Sequence, residues 1–267
     1  MSEQAPAPQV GDSRAEATCG PVRIGPVELA RLSREAAVAL LLDHVARRQR
    51  RAVAFANAHG LLLAMDDAAY ARTLSRFLVL NDGIGAEIGA RVLSGTGFPD
   101  NLNGTDFIPA LLAAAPVGTR LYLLGAHPHV VEKAATTFTD RYPAVEICGW
   151  RDGYFSPDDE AGIAAAINAA SPDILLVAMG NPKQEYLIDR LFPHLEVPLA
   201  LGVGALFDFT AGEVTRAPGA MRRFGLEWIF RFLQEPRRLG RRYTSGVARY
   251  LWNILWLRLR GGQRPSA

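Results

Sequence analysis

Short apolar runs alternating with helix-forming stretches constrain this chain more than any other feature. The runs are Ala52–Ala56, Phe77–Leu80, Leu121–Leu124, Val145–Cys148, Ile174–Ala178 and Leu199–Val203. Each is too short for a stable helix and too uniformly apolar for a half-exposed strand, so each reads as a strand buried on both faces. Helical patterns separate them at Arg34–Arg48, Gly85–Leu93, Thr105–Ala114, Pro128–Arg141, Pro157–Ala169 and Pro182–Leu191. Ser156 and Pro157 supply start signals for the fifth of these. The expected fold class is α/β, a Rossmann-like parallel sheet flanked by helices.

Charge divides the chain of 267 residues. From Arg216 onward there are twelve arginines against Glu227 and Glu235, a balance of +10, while the first 215 residues carry −8. The expected organisation is a disordered tail at 1–20, an α/β core at 21–215 and an arginine- and aromatic-rich helical appendage at 216–267. Its helical segments are Met221–Gln234 and Pro236–Arg260, divided by Pro236. Such asymmetry calls for an anionic partner. Val247, Leu251, Ile254, Leu255 and Leu259 fall near helical spacing, which suits an interfacial helix on anionic lipid or a helix packed on the core. No run reaches the roughly 18 apolar residues of a membrane span, and the polar start lacks a signal core. Cys19 and Cys148 form no disulfide framework, so an intracellular setting is expected. No nucleic-acid-binding motif is present.

Five strand-to-helix turns can carry chemistry, because ligands of open α/β sheets bind at the carboxyl ends of strands. Asn81-Asp82-Gly83 places a carboxylate at such an end, where Asp82 also suits a helix cap. Gly83, Gly85 and Gly89 approximate a dinucleotide fingerprint, which keeps a nicotinamide oxidoreductase as a remote alternative. Asn103, Gly104 and Thr105 can give amide, backbone and hydroxyl donors to a sugar or phosphate; the alternative is a capped helix start with Thr105 or Gly104 at the cap. Gly125 opens a helix N-terminus that suits a diphosphate; His127 and His129 lack further ligands for a metal. Asn181 and Gln184 are amides suited to sugar hydroxyls or a base edge. Asp208, flanked by aromatics, can accept from a nucleoside, or act as a buried cap.

Taken together, Asn81-Asp82-Gly83-Ile84-Gly85, Asn103-Gly104-Thr105-Asp106, Asp152-Gly153-Tyr154-Phe155, Gly180-Asn181-Pro182-Lys183-Gln184-Glu185, Gly204-Ala205-Leu206-Phe207-Asp208 and the stretch from Arg216 to Arg238 resemble the WecG/TagA/CpsF family of bacterial glycosyltransferases. The resemblance runs from about Gly25 to Tyr250. It implies an inverting transferase that moves a hexose from a UDP-sugar to a saccharide on undecaprenyl diphosphate. It also implies peripheral attachment at the cytoplasmic face of the inner membrane, with the arginine-rich segment closing the site and touching the bilayer. Carried over, Asp82 is the catalytic base, Gln184 a substrate contact, and Asn57 the retained asparagine of a Thr-Pro-Asn motif.

In that motif Phe55 replaces the threonine, which speaks against an N-acetylmannosamine donor. The Asn101–Asp106 string looks more like the xanthan- and acetan-type exopolysaccharide branch, so UDP-glucose is the expected donor. The alternative is an N-acetylmannosamine or N-acetylmannosaminuronate transferase of cell-wall or surface-antigen assembly. No Asp-x-Asp metal motif occurs, so metal-independent transfer without a cofactor is expected. Arg216, Arg222, Arg223 and Arg231 are the candidate diphosphate forks. The expected partners are thus a UDP-sugar, a lipid-diphosphate glycan and an anionic membrane surface, with no nucleic acid; a homo-oligomer is compatible with the sequence.

Overall fold

The computed structural model describes residues 20–218, Phe230 and 245–261. The expected alternation becomes six strands: β3 (Arg51–Ala56), β4 (Leu78–Asn81), β5 (Thr119–Gly125), β6 (Val145–Arg151), β7 (Ile174–Ala178) and β8 (Leu199–Gly202). They form one sheet in the order β4-β3-β8-β7-β5-β6, and every neighbouring pair is parallel. The strands read as continuous apolar runs because both faces are covered. Within β3, Ala52, Ala54 and Ala56 enter one core and Val53 and Phe55 the other, the period-two alternation of a strand.

One face is covered by α1 (Arg34–Ala46), α5 (Gly104–Ala113), α6 (Pro128–Arg141) and α9 (Leu206–Thr210). The other carries α2 (Ala58–Asp66), α3 (Ala68–Leu74), α4 (Gly83–Ser94), α7 (Glu160–Ala169), α8 (Lys183–Leu191) and α10 (Ser245–Leu259). A hairpin of β1 (Val22–Ile24) and β2 (Val27–Leu29) seals the β4 side, where the Ala30 N–H donates to the Val79 carbonyl at 2.9 Å.

The sequence reading misses the hairpin, α2, α3 and α9. The hairpin strands have three residues each, too few to display a period. In α2 the run Gly60–Ala64 is almost wholly buried, so no polar face marks it as helical. The Ser156 start is real but begins as a 3₁₀ turn, with the Asp159 carboxylate accepting the Ser156 N–H at 2.9 Å.

Of the C-terminal segments, the one expected at Met221–Gln234 lies outside the described residues apart from Phe230, and the second is helical over Ser245–Leu259. Its expected stripe splits in two. Tyr250, Ile254 and Leu257 are buried against the core, whereas Leu251, Trp252, Leu255 and Leu259 are exposed, the last at 78%. Packing on the core and an outward apolar face therefore coexist in one helix. Among the described residues no helix is long and apolar enough to cross a membrane.

Candidate active site

The carboxyl ends of the parallel strands present their loops in a row. Read along the sheet, Asp82 follows β4, Asn57 follows β3, Gly204 follows β8, Asn181 follows β7 and Ala126 follows β5. From β4 to β5 is a span of roughly 19 Å at about 4.8 Å per strand, enough to lay out an extended ligand. The connections leaving β5 and β7 run in opposite directions, to β6 and to β8. Such a reversal opens the crevice in which open α/β sheets bind ligands.

Asp82 occupies the N-cap position of α4 but makes no side-chain cap hydrogen bond. Its carboxylate accepts instead from Asn57 Nδ2 at 3.1 Å. Asn57 is itself the cap of α2, its Oδ1 accepting the N–H groups of His59 and Gly60 at 3.1 and 3.2 Å. One amide thus anchors a helix with its oxygen and aims a carboxylate with its nitrogen. The cap alternative for Asp82 is set aside by this geometry. Asn81 is buried, and its Nδ2 donates to the Asp100 carbonyl at 2.8 Å. The Gly83 N–H donates to Asn101 Oδ1 at 2.8 Å. Both brace the loop around Asp82.

Two of the three glycines after Asp82 have a packing cause, whereas Gly83 has φ of +79° and open space around it. A Cβ at Gly85 would stand 2.5 Å from the Ala58 Cβ, and one at Gly89 would stand 2.5 Å from the Tyr250 hydroxyl. These glycines seat α2 and α10 on α4, which removes the basis for the dinucleotide-fingerprint alternative. The Tyr250 hydroxyl donates to the Gly85 carbonyl at 2.8 Å.

On the neighbouring loop, Asn103 caps α5, not Gly104 or Thr105. Its Oδ1 accepts the Asp106 N–H and its Nδ2 donates to the Asp106 carboxylate, both at 3.0 Å. Thr105 follows in the first turn and is partly exposed. Arg216 donates to the other Asp106 oxygen at 2.9 Å and lies 5.9 Å from the Phe209 ring centre. The expected diphosphate arginine is therefore ion-paired across α5 in this structure. Asp208 stands in the first turn of α9 and is partly exposed. Arg222, Arg223 and Arg231 lie outside the described residues.

Gly125 has φ of +123°, and a Cβ there would meet the Ala178 carbonyl oxygen at 2.3 Å. Only glycine allows β5 and β7 to close up at this point, and the Ala126 N–H then donates to that carbonyl at 2.8 Å. Beside it Tyr154 stacks on His127 at 4.7 Å, with its hydroxyl 2.8 Å from His127 Nε2. The His-x-His pair is thus part of an aromatic platform.

The loop after β7 contains the residue that sequence reasoning passed over. Glu185 is fully buried, at 0% exposure, and Gln184 nearly so, at 2%. Glu185 Oε1 accepts from Asn181 Nδ2 at 2.6 Å and from Gln184 Nε2 at 2.8 Å. Gln184 Oε1 accepts the N–H groups of Gly180 and Gly204 at 3.1 and 2.9 Å, which ties the ends of β7 and β8 together. Gln184 is thus a knot between loops, not an exposed contact. Burial pushes the Glu185 carboxyl above the ordinary glutamate range, against the opposing pull of its amide donors. Burial likewise raises the Tyr70 hydroxyl, which lies beside Glu185 and Asn181. The only sequence signal for Glu185 was its place in the quoted Gly180–Glu185 block.

The strand ends thus present a braced carboxylate, amide side chains and an aromatic platform along one side of a parallel sheet. Residues 22–264 match the Glycosyl transferase WecG/TagA/CpsF family, and the chain belongs to it. It is a glycosyltransferase. It is also similar to the N-acetylglucosaminyldiphosphoundecaprenol N-acetyl-beta-D-mannosaminyltransferase of Bacillus spizizenii (strain ATCC 23059 / NRRL B-14472 / W23). The two are 34% identical over 197 residues, covering 72% of this chain and 74% of that protein.

Proposed function

We propose that this chain transfers N-acetylmannosamine from its UDP derivative to N-acetylglucosamine carried on undecaprenyl diphosphate. This reverses the donor preference drawn from the sequence. That preference rested on the Asn101–Asp106 string and on Phe55, which the fold buries against Phe107 at 5.9 Å between ring centres. At this position the Phe55 ring fills space under α5. The similarity to a mannosaminyltransferase supports the other donor.

The observation that carries the chemistry is the Asp82 carboxylate, turned away from its own helix and held by Asn57. In the proposed step Asp82 takes the proton of the acceptor hydroxyl. The oxygen forms a bond to the anomeric carbon, the bond from that carbon to the phosphate oxygen breaks, and UDP departs with inversion. A positioned base contributes about 10²–10⁴-fold. Arginines of the C-terminal segment take the place of a metal at the departing diphosphate. Attachment to the cytoplasmic face of the inner membrane belongs to the same proposal. It is supported by the outward Leu251, Trp252, Leu255 and Leu259 of α10 and by the basic charge around them, at about 1 kcal/mol per basic residue near an anionic surface.

The test pairs the membrane-bound protein with UDP-N-acetylmannosamine or UDP-glucose, and with N-acetylglucosaminyl- or glucosyl-diphospho-lipid. Transfer from UDP-N-acetylmannosamine to the N-acetylglucosaminyl lipid, undiminished by EDTA and lost in Asp82→Ala, is expected. Transfer from UDP-glucose alone would restore the first donor expectation. Activity that EDTA abolishes and magnesium restores would overturn the metal-independent step.

A further inference from the structure

Hydrogen-bond polarity can be followed link by link through the loop after β7. A backbone N–H can only donate, so the Gln184 atom facing Gly180 and Gly204 is the oxygen. The other end of that amide, Nε2, must then donate, and it donates to Glu185 Oε1 at 2.8 Å. Oε1 therefore accepts from Gln184, and with the carboxyl ionised, or with its proton on Oε2, it accepts from Asn181 as well. In both states the Asn181 atom 2.6 Å from Oε1 is the nitrogen. Tyr70 stands 3.4 Å from that same nitrogen. The remaining end of the Asn181 amide is an acceptor, on a partly exposed residue at the mouth of the β5/β7 crevice.

We infer that Glu185 is a positioning residue which, locked by Gln184, fixes the Asn181 amide so that Oδ1 faces the ligand. The group read at that point is a hydrogen-bond donor of the nucleotide sugar, a hydroxyl or an acetamido N–H. The inference rests on the glycosyltransferase reading above for its ligand, but the locked amide stands on this chain's own geometry. Two backbone N–H groups thereby set, through three side chains, which end of an amide the substrate meets.

Two variants separate the links. Glu185→Gln keeps an acceptor at the Oε1 position, whereas Glu185→Met fills similar space and removes it. The first readout needs no activity: hydrogen exchange of the Asn181 side-chain amide in full-length protein isotope-labelled at asparagine, with the resonance identified by its loss in Asn181→Ser. Slow exchange is expected in the wild type and in Glu185→Gln, and free exchange in Glu185→Met. The second readout is transfer kinetics. In Glu185→Met the KM for the UDP-sugar should rise roughly tenfold, the loss of one hydrogen bond, with a smaller change in kcat, while Glu185→Gln should stay within about threefold of wild type.

Free exchange of the Asn181 amide in the wild type would overturn the inference whatever the enzyme does. So would a folded Glu185→Met protein with unchanged KM, or a Glu185→Gln protein as impaired as Glu185→Met. A protected amide in a protein that uses no nucleotide sugar would leave the locked amide standing and reject the ligand assigned to it, together with the functional reading.

Discussion

Asp82 and Glu185 follow strands three positions apart on one sheet edge, and their surroundings differ in kind. Asp82 is partly exposed, makes no cap hydrogen bond to the helix N-terminus it sits on, and accepts from the Asn57 amide. Glu185 is sealed from water, accepts two amide donors through one oxygen, and is pushed towards its neutral form by burial. A carboxyl that must exchange protons with a substrate needs access and a fixed aim. A carboxyl that must hold other side chains in place needs burial and donors on the oxygen that holds them, as Oε1 of Glu185 has while Oε2 has no hydrogen-bond partner among the described residues. The same functional group becomes a reagent in one setting and a fixture in the other.

The largest expected effect that sharpens this contrast is on rate. Asp82→Ala should lower transfer by about 10²–10⁴-fold. The carboxylate makes no cap hydrogen bond and accepts from Asn57, so the stability loss should stay within roughly 1 kcal/mol, that of a single hydrogen bond. A large loss of stability would make Asp82 a structural residue after all. Glu185→Ala should cost more stability, about 3 kcal/mol, by leaving buried amide donors unmet and a cavity behind. Denaturant titration reads that difference directly.

Asn57→Ala should fall between the two. Losing the α2 cap costs about 1 kcal/mol, and the unsteered carboxylate should slow transfer by roughly tenfold, one hydrogen bond's worth. A loss of stability with no loss of rate would break the link between Asn57 and the base. The smallest effect concerns pH. The Glu185 carboxyl holds its proton more tightly folded than unfolded, so it favours folding at low pH. That contribution fades as pH climbs from the ordinary glutamate range to the raised one. Stability curves of wild type and Glu185→Gln should therefore converge at low pH and separate above it, with the wild type the lower.

The sheet was legible in the sequence because two covered faces force uninterrupted apolar runs. All six of its strands lie within a few residues of those runs. Asp82 was legible by position, as an acid at a strand end before glycine. Its freedom from capping was not, because that depends on Asn57, a residue on a different strand end. Glu185 was hidden for another reason. Beside Lys183 and Gln184 it looks like any polar residue in the first turn of a surface helix, and only the approach of Tyr70 from α3 shows that the turn is enclosed. The glycines misled in the opposite sense, since a spacing that suits phosphate turned out to be clearance for Ala58 and Tyr250.

The space beneath Tyr250 exists only because residue 89 has no side chain. Helix α10 and helix α4 are therefore a matched lock and key, cut from sequence about 160 residues apart. A chimera that grafts this C-terminal segment onto a host with a side chain at the position of Gly89 must bring the glycine along with it, or the grafted helix will find its keyhole filled.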